Sequence, residues 1–122
     1  MLLDIDKVTL EMVRGDTFAL PLPLNMGTRE EFIPYYLNCN DCLYIGIMKP
    51  GQPFEHAEIR CMIDCNGIKD DFGNPLFYLM PKDTERMTPG KYYLSIKYSS
   101  GRDVTTLVDH KMFFITGSNP CC

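Results

Sequence analysis

Cys39, Cys42, Cys61 and Cys65 come closest, by type and spacing, to a chemical site in this chain. They form a C-x2-C pair followed by a C-x3-C pair, near the order of a zinc ribbon. Four thiolates close a tetrahedral structural zinc when turns bring both pairs to one point. Cys61 and Cys65, however, fall in the alternating run FEHAEIRCMIDC. Four residues of strand span roughly 13 Å, too far for two ligands of one ion. Zinc on Cys39, Cys42, Cys61 and Cys65 therefore needs a turn or bulge near Asp64. The preferred reading is free thiols, several of them serving as small core residues, with Cys61 buried and unbridged between Ile59 and Ile63. Cys121 and Cys122 are adjacent, a poor basis for a bridge because vicinal disulfides are strained; the sequence assigns them no role.

Other chemistry-bearing residues are weaker. His56 and His110, the only histidines, stand beside Glu55 and Asp109, but a catalytic base also needs a nucleophile or metal partner. The run DCNGIKDD, Asp64 to Asp71, gathers oxygen ligands without the EF-hand register or its closing glutamate. RGD at Arg14 to Asp16 reads as turn chemistry. No G-x-S-x-G, H-E-x-x-H, P-loop or dinucleotide fingerprint occurs. The expectation is a protein that is not an enzyme and carries no cofactor.

The elements that hold these residues are strands. In VTLEMV, Val8, Leu10 and Met12 share one face; in TFALPLPLN, Phe18, Leu20, Leu22 and Leu24 share one and Pro21 and Pro23 the other. Prolines cannot donate to a ladder, so residues 17–25 should form an edge, or pair on one side only. CLYIGIMK, FEHAEIRCMIDC and PLFYLM are further strands. PKDTERM supplies one helical turn near residues 82–88, stopped by Pro89 and Gly90. Tyr92, Leu94, Ile96 and Tyr98 then line a buried face, SSGR turns the chain, and VTTLVDH and KMFFIT follow as two short strands. Parallel sheets call for crossover helices, and none is legible. The expected fold is all-β: an immunoglobulin-like antiparallel β-sandwich of seven to eight short strands, without the Trp and paired cysteines of antibody domains.

The 122 residues make one domain, with residues 1–7 as an interacting N-terminal segment and 117–122 as a short tail. A net charge of −4 gives no electrostatic case for nucleic acid or anionic membrane. No stretch approaches the ~20 apolar residues of a membrane span. The start MLLDIDKV has no basic region and meets Asp4 and Asp6 at once, so folding in cytoplasm is expected. Leu2, Leu3 and Ile5 are apolar in a segment that no turn ties to the domain. They are expected to add as a strand to a neighbouring chain. Deleting residues 1–7 should leave the isolated sandwich folded and abolish assembly. The edge carrying Phe18, Leu20, Pro21 and Pro23 is a second docking candidate.

Across nearly the whole chain, a succession of turns resembles a known pattern. It runs Gly15, Asp16 and Thr17 after an early strand, then Leu79, Pro81, Asp83 and Thr84. Pro89, Gly90 and Tyr92 follow, with Gly101 in a hairpin, and then Thr106 and Leu107 before the Phe113 strand. This order resembles the immunoglobulin-like N-terminal module of baseplate upper proteins in tailed bacteriophages, and related virion modules. That pattern has Gly where this chain has His110. The resemblance implies a structural virion protein, assembled in the host cytoplasm and oligomeric with other virion proteins. Its place would be a small accessory, baseplate or tail, or capsid-decorating module that docks onto a symmetric scaffold or anchors a fibre. The alternative is a cellular adhesin-type or carbohydrate-binding sandwich, which a ring of exposed aromatics would favour.

Overall fold

Strand-period alternation builds nine strands, in a computed structural model that describes residues 1–117; Cys121 and Cys122 lie outside the described residues. In chain order they are β1 (Leu10–Val13), β2 (Phe18–Pro21), β3 (Leu24–Asn25), β4 (Pro34–Tyr35) and β5 (Asp41–Met48). After a 3₁₀ turn (Phe54–His56) come β6 (Ile59–Ile63), β7 (Leu76–Leu79), a four-residue helix (Pro81–Thr84), β8 (Gly90–Ser100) and β9 (Asp103–Thr116). The helical turn expected near 82–88 thus begins at Pro81 and ends at Thr84. Proline starts it well, because its missing N–H is unneeded there. Asp83 accepts the Met80 N–H at 2.7 Å.

The main sheet has the order β1-β9-β8-β5-β6, and two-stranded sheets are formed by β2 with β7 and by β3 with β4. All neighbours are antiparallel except β1 and β9, which pair in parallel from Leu10 opposite Phe113 to Val13 opposite Thr116. The purely antiparallel expectation is corrected here. A parallel pair needs a long crossover, and between these two strands the rest of the domain is the crossover, so no connecting helix is required.

The inner face of the main sheet carries Leu10, Met12, Leu43, Ile45, Ile47, Tyr92, Leu94, Ile96, Phe113 and Ile115. All are buried in one core with Leu20, Leu22, Leu24, Phe77 and Leu79. Each such side chain contributes roughly 1.5–3 kcal/mol by leaving water. Phe18 of β2 joins the β2–β7 pair to the main sheet, edge-on to Phe77 at 6.3 Å and to Phe113 at 5.2 Å between ring centroids. On the outer face Gly46 is required by a close approach: a Cβ there would lie 2.8 Å from the Phe54 ring. Lys97 Nζ lies 4.7 Å from the centroid of that same ring.

The two short strands expected at VTTLVDH and KMFFIT are one strand, β9, with an irregularity inside it. Its register against β8 passes from Leu94–Lys111 to Ile96–Val108, and then to Lys97–Thr106, so β9 twice holds one residue more than β8. These are β-bulges, which re-phase a strand without ending it. Val108 and Phe113, an odd number of residues apart, are thereby both buried. His110 sits at one bulge with φ 53°, and Ser95 Oγ accepts its backbone N–H at 3.0 Å. A left-handed residue with a Cβ is strained by roughly 1–2 kcal/mol, more for a β-branched one. Accordingly, His110→Gly is expected to raise stability by about 1 kcal/mol and His110→Val to lower it by about 2 kcal/mol, measured by urea unfolding.

Candidate interaction surfaces

In MLLDIDK the apolar residues at 3 and 5 alternate with acidic residues at 4 and 6, and the structure uses that alternation within its own domain. Leu2 and Asn25 exchange both main-chain hydrogen bonds, at 2.7 and 2.9 Å. Leu3 and Ile5 are buried at 6% and 2% exposure, while Asp4 and Asp6 face solvent. The segment expected to hang free is tied back, and the correction has a plain cause. Leu3 and Ile5 join the same buried cluster as Leu22 and Leu24, and a strand-period segment is what presents two alternate side chains to it. Leu2 remains half-exposed.

Beside that segment lies a cavity of about 460 Å³. Its walls include Leu3 and Asp6 on one side, Leu107 and Lys111 of β9 on another, and Asn25, Arg29 and Phe32 from the turn between β3 and β4. Lys111 Nζ donates to the Asp6 carbonyl across it at 3.3 Å. β1 covers only Phe113–Thr116 of β9, so the Asp103–His110 part has a strand on its β8 side alone among the described residues.

Of the run 17–25, β2 pairs on one side only, with β7, as its prolines require, whereas Leu24 and Asn25 pair with β4 and Asn25 also with Leu2. Leu20 is buried and Phe18 half-buried, so both belong to the core. The Leu22 N–H bonds to the Pro75 carbonyl at 2.8 Å. By strand alternation Pro21 and Pro23 then occupy positions whose nitrogen points outward. The free edge lacks donors there, a device that discourages strand addition.

The four inner cysteines are not brought together. Ile45 is the partner of Cys61, which therefore faces inward and packs against the core. Cys42, an odd number of positions from Ile45, points to the other face. Cys39 and Cys65 lie in turns outside the strands, and all four are free. Among the described residues no group of three or more His, Cys, Asp or Glu is arranged to hold a metal ion. Cys61 is half-buried rather than fully buried, because β6 is the sheet's edge strand. Burial pushes its thiol pKa up, with a smaller contribution from Asp83.

His56 is exposed at the end of the 3₁₀ turn. His110 Nδ1 bonds to the carboxylate of its neighbour Asp109, and both are exposed. Arg14 and Gly15 of the RGD turn are spent on the domain: Arg14 Nη1 reaches the Met87 carbonyl at 3.4 Å, and the Gly15 N–H reaches Thr84 Oγ1 at 2.9 Å. Asp70 accepts the N–H groups of Phe72 and Asn74 and the Asn74 amide. These bonds fix the loop and use the carboxylate that a calcium reading would need.

Two features escape a linear reading. One is Asp41, only 1% exposed. It accepts the hydroxyls of Tyr35 and Tyr98 and the Asn38 N–H. The group clamps the 26–40 segment onto β5 and β8. The other is Phe72, 81% exposed on the rigid Asp70 turn. Beside it, the Tyr36 ring lies so close to Gly73 that a Cβ there would meet it at 3.2 Å. The exposure of Phe72 has no signature in alternation, since it lies in irregular chain.

No family model, curated protein or solved structure matches the chain.

Proposed function

We propose that the chain is a non-catalytic structural module of a tailed-bacteriophage particle, an immunoglobulin-like sandwich that docks onto a symmetric scaffold. Its role is that of a small accessory, baseplate or tail, or capsid-decorating protein, or the anchor of a fibre. One observation carries the reading. The Gly15-Asp16-Thr17 turn and the Pro81-x-Asp83-Thr84 turn, far apart in the motif succession, are joined by the Gly15 N–H to Thr84 Oγ1 bond, with Thr84 fully buried. That bond brings two elements of the succession together in space, as one shared pattern would.

The immunoglobulin-like assignment draws support from strand order. β9-β8-β5-β6 follows the G-F-C-C′ order of a variable-type sandwich, and β2 with β7 corresponds to its adjacent B and E strands. Near the start of β8 the Tyr92 hydroxyl donates to the Thr88 carbonyl four residues upstream, the geometry of a tyrosine corner. The parallel β1 and the absence of tryptophan are departures. The non-catalytic reading is supported by the exposure of both histidines and the structural use of Asp70. Partners are other virion proteins rather than nucleic acid or membrane; no helix among the described residues is long and apolar enough to cross a bilayer.

Mass spectrometry of purified particles tests this. The chain is expected at a fixed stoichiometry to the capsid or tail proteins, and its absence from intact particles would overturn the reading. A second reading, an adhesin-type or carbohydrate-binding module, is favoured by Phe72 beside Tyr36, since exposed aromatic faces stack on sugars. Glycan binding that disappears in Tyr36→Ala or Phe72→Ala would select it.

A further inference from the structure

We propose that residues 1–5 are an exchangeable arm, which in the assembled protein leaves its own socket and fills the same socket on a second copy of this chain. The inference rests on the assembly reading above and deepens it by naming the partner; its readout is in solution, so each can fail without the other. The arm contributes two core side chains, Leu3 and Ile5, so its socket cannot stand empty in water. Yet its main chain is held as a strand only by the reciprocal Leu2–Asn25 pair among the described residues. The cavity of about 460 Å³ along its flank leaves it under-packed on that side.

The connection to β1 is short and folded back on itself. Asp6, Lys7, Val8 and Thr9 are exposed. They are turned by the Val8 N–H to Ile5 carbonyl bond at 3.1 Å and the Asp6 N–H to Asp4 carboxylate bond at 3.2 Å. A tight hinge of this kind is what favours exchange, because opening it relieves the turn while every arm contact is remade in trans. Extended, its four residues reach roughly 13 Å.

The chemistry of the socket identifies its occupant. It accepts two apolar side chains at strand spacing, and Arg29 and Lys111 line the adjoining cavity together with Asp4 of the arm and Asp6 of the hinge. This sequence already satisfies that pattern in one chain, so a second copy needs no new complementarity. Reciprocal exchange closes at two copies, whereas one-way exchange continues into a chain or ring.

Light scattering on the full chain, refolded from denaturant at dilute and at high concentration, tests the proposal. Monomer is expected from the dilute sample, and a dimer or larger species that grows with refolding concentration from the other. Inserting Gly-Gly-Ser between Lys7 and Val8 relaxes the hinge and is expected to lower the associated fraction about tenfold, with the circular dichroism unchanged. Ile5→Asp should abolish association, and if that variant fails to fold the insertion decides alone. A monomer at every refolding concentration overturns the proposal. So does association that the insertion leaves unchanged, which would place the contact on another face such as the Phe72 loop.

Discussion

Replacing Asp41 by alanine is expected to destabilise the domain by about 3 kcal/mol and to flatten its stability profile at both ends of the pH range. The carboxylate is buried and accepts from Asn38, Tyr35 and Tyr98. Truncation loses bonds to a charged acceptor and strands several donors, each worth roughly 1.5–3 kcal/mol before relaxation. The pH dependence follows from two opposed shifts. Burial pushes the Asp41 pKa up, but the Asn38 N–H and the Tyr35 and Tyr98 hydroxyls outweigh it and hold the carboxyl below its ordinary 3.8. Its contribution is therefore complete above that value and is lost as pH falls through the lowered folded pKa. The Tyr35 hydroxyl is shifted upward from 10.0, chiefly because it donates to Asp41, with Tyr98 and burial adding to the effect. Its contribution is complete below pH 10.0 and is lost as pH rises through the raised folded value. Urea unfolding across pH should give a plateau between these limits in the native protein. Asp41→Ala removes the slope on both sides, while Tyr35→Phe removes mainly the alkaline one. A variant within 1 kcal/mol of the native protein at neutral pH would show that the cluster is solvated rather than clamping.

Why the clamp escaped a sequence reading is instructive. Tyr35 and Asp41 are close in the chain, but Tyr98 joins them only because β5 and β8 pair with Leu43 opposite Tyr98. That register is a property of the folded sheet. The alternating faces themselves were legible: Leu10 with Met12, Leu20 with Leu22 and Leu24, and Tyr92 with Leu94 and Ile96 are buried as their periodicity requires. β9 was read as two strands because its apolar phase changes between Val108 and Phe113, and the bulge at His110 absorbs that change. Alternation alone cannot distinguish a strand end from a bulge. The parallel β1–β9 pair depends on contact between opposite ends of the domain, which local pattern does not encode. For the candidate surfaces the division is similar. The donor-poor edge at Pro21 and Pro23 followed from proline chemistry, whereas the rigid display of Phe72 depends on hydrogen bonds within an irregular loop.

The N-terminal segment carries the second large effect. Ile5→Ala is expected to cost about 3 kcal/mol, since removing a buried branched side chain loses its transfer energy and leaves a cavity. In a domain of this size that lowers the melting temperature by roughly 12 °C. Leu3→Ala should cost about 2 kcal/mol, because the adjoining cavity lets its surroundings adjust. Lys7→Ala, at an exposed position, should be within about 0.5 kcal/mol of the native protein. Deleting residues 1–5 ought then to lower the melting temperature at least as far as Ile5→Ala, since the buried Leu3 side chain is lost as well. The outcome separates two pictures of the segment. A peripheral tag could be removed with the melting temperature unchanged. A core-packed segment cannot, and the burial of Leu3 and Ile5 puts residues 1–5 in that class. Should the segment exchange between copies, the same loss would appear in both partners, and isolated wild-type peptide spanning residues 1–7 should restore the melting temperature of the truncated chain. Restoration by the peptide, but not by one carrying Asp in place of Ile5, would show that the socket survives as a specific site once its own strand is gone.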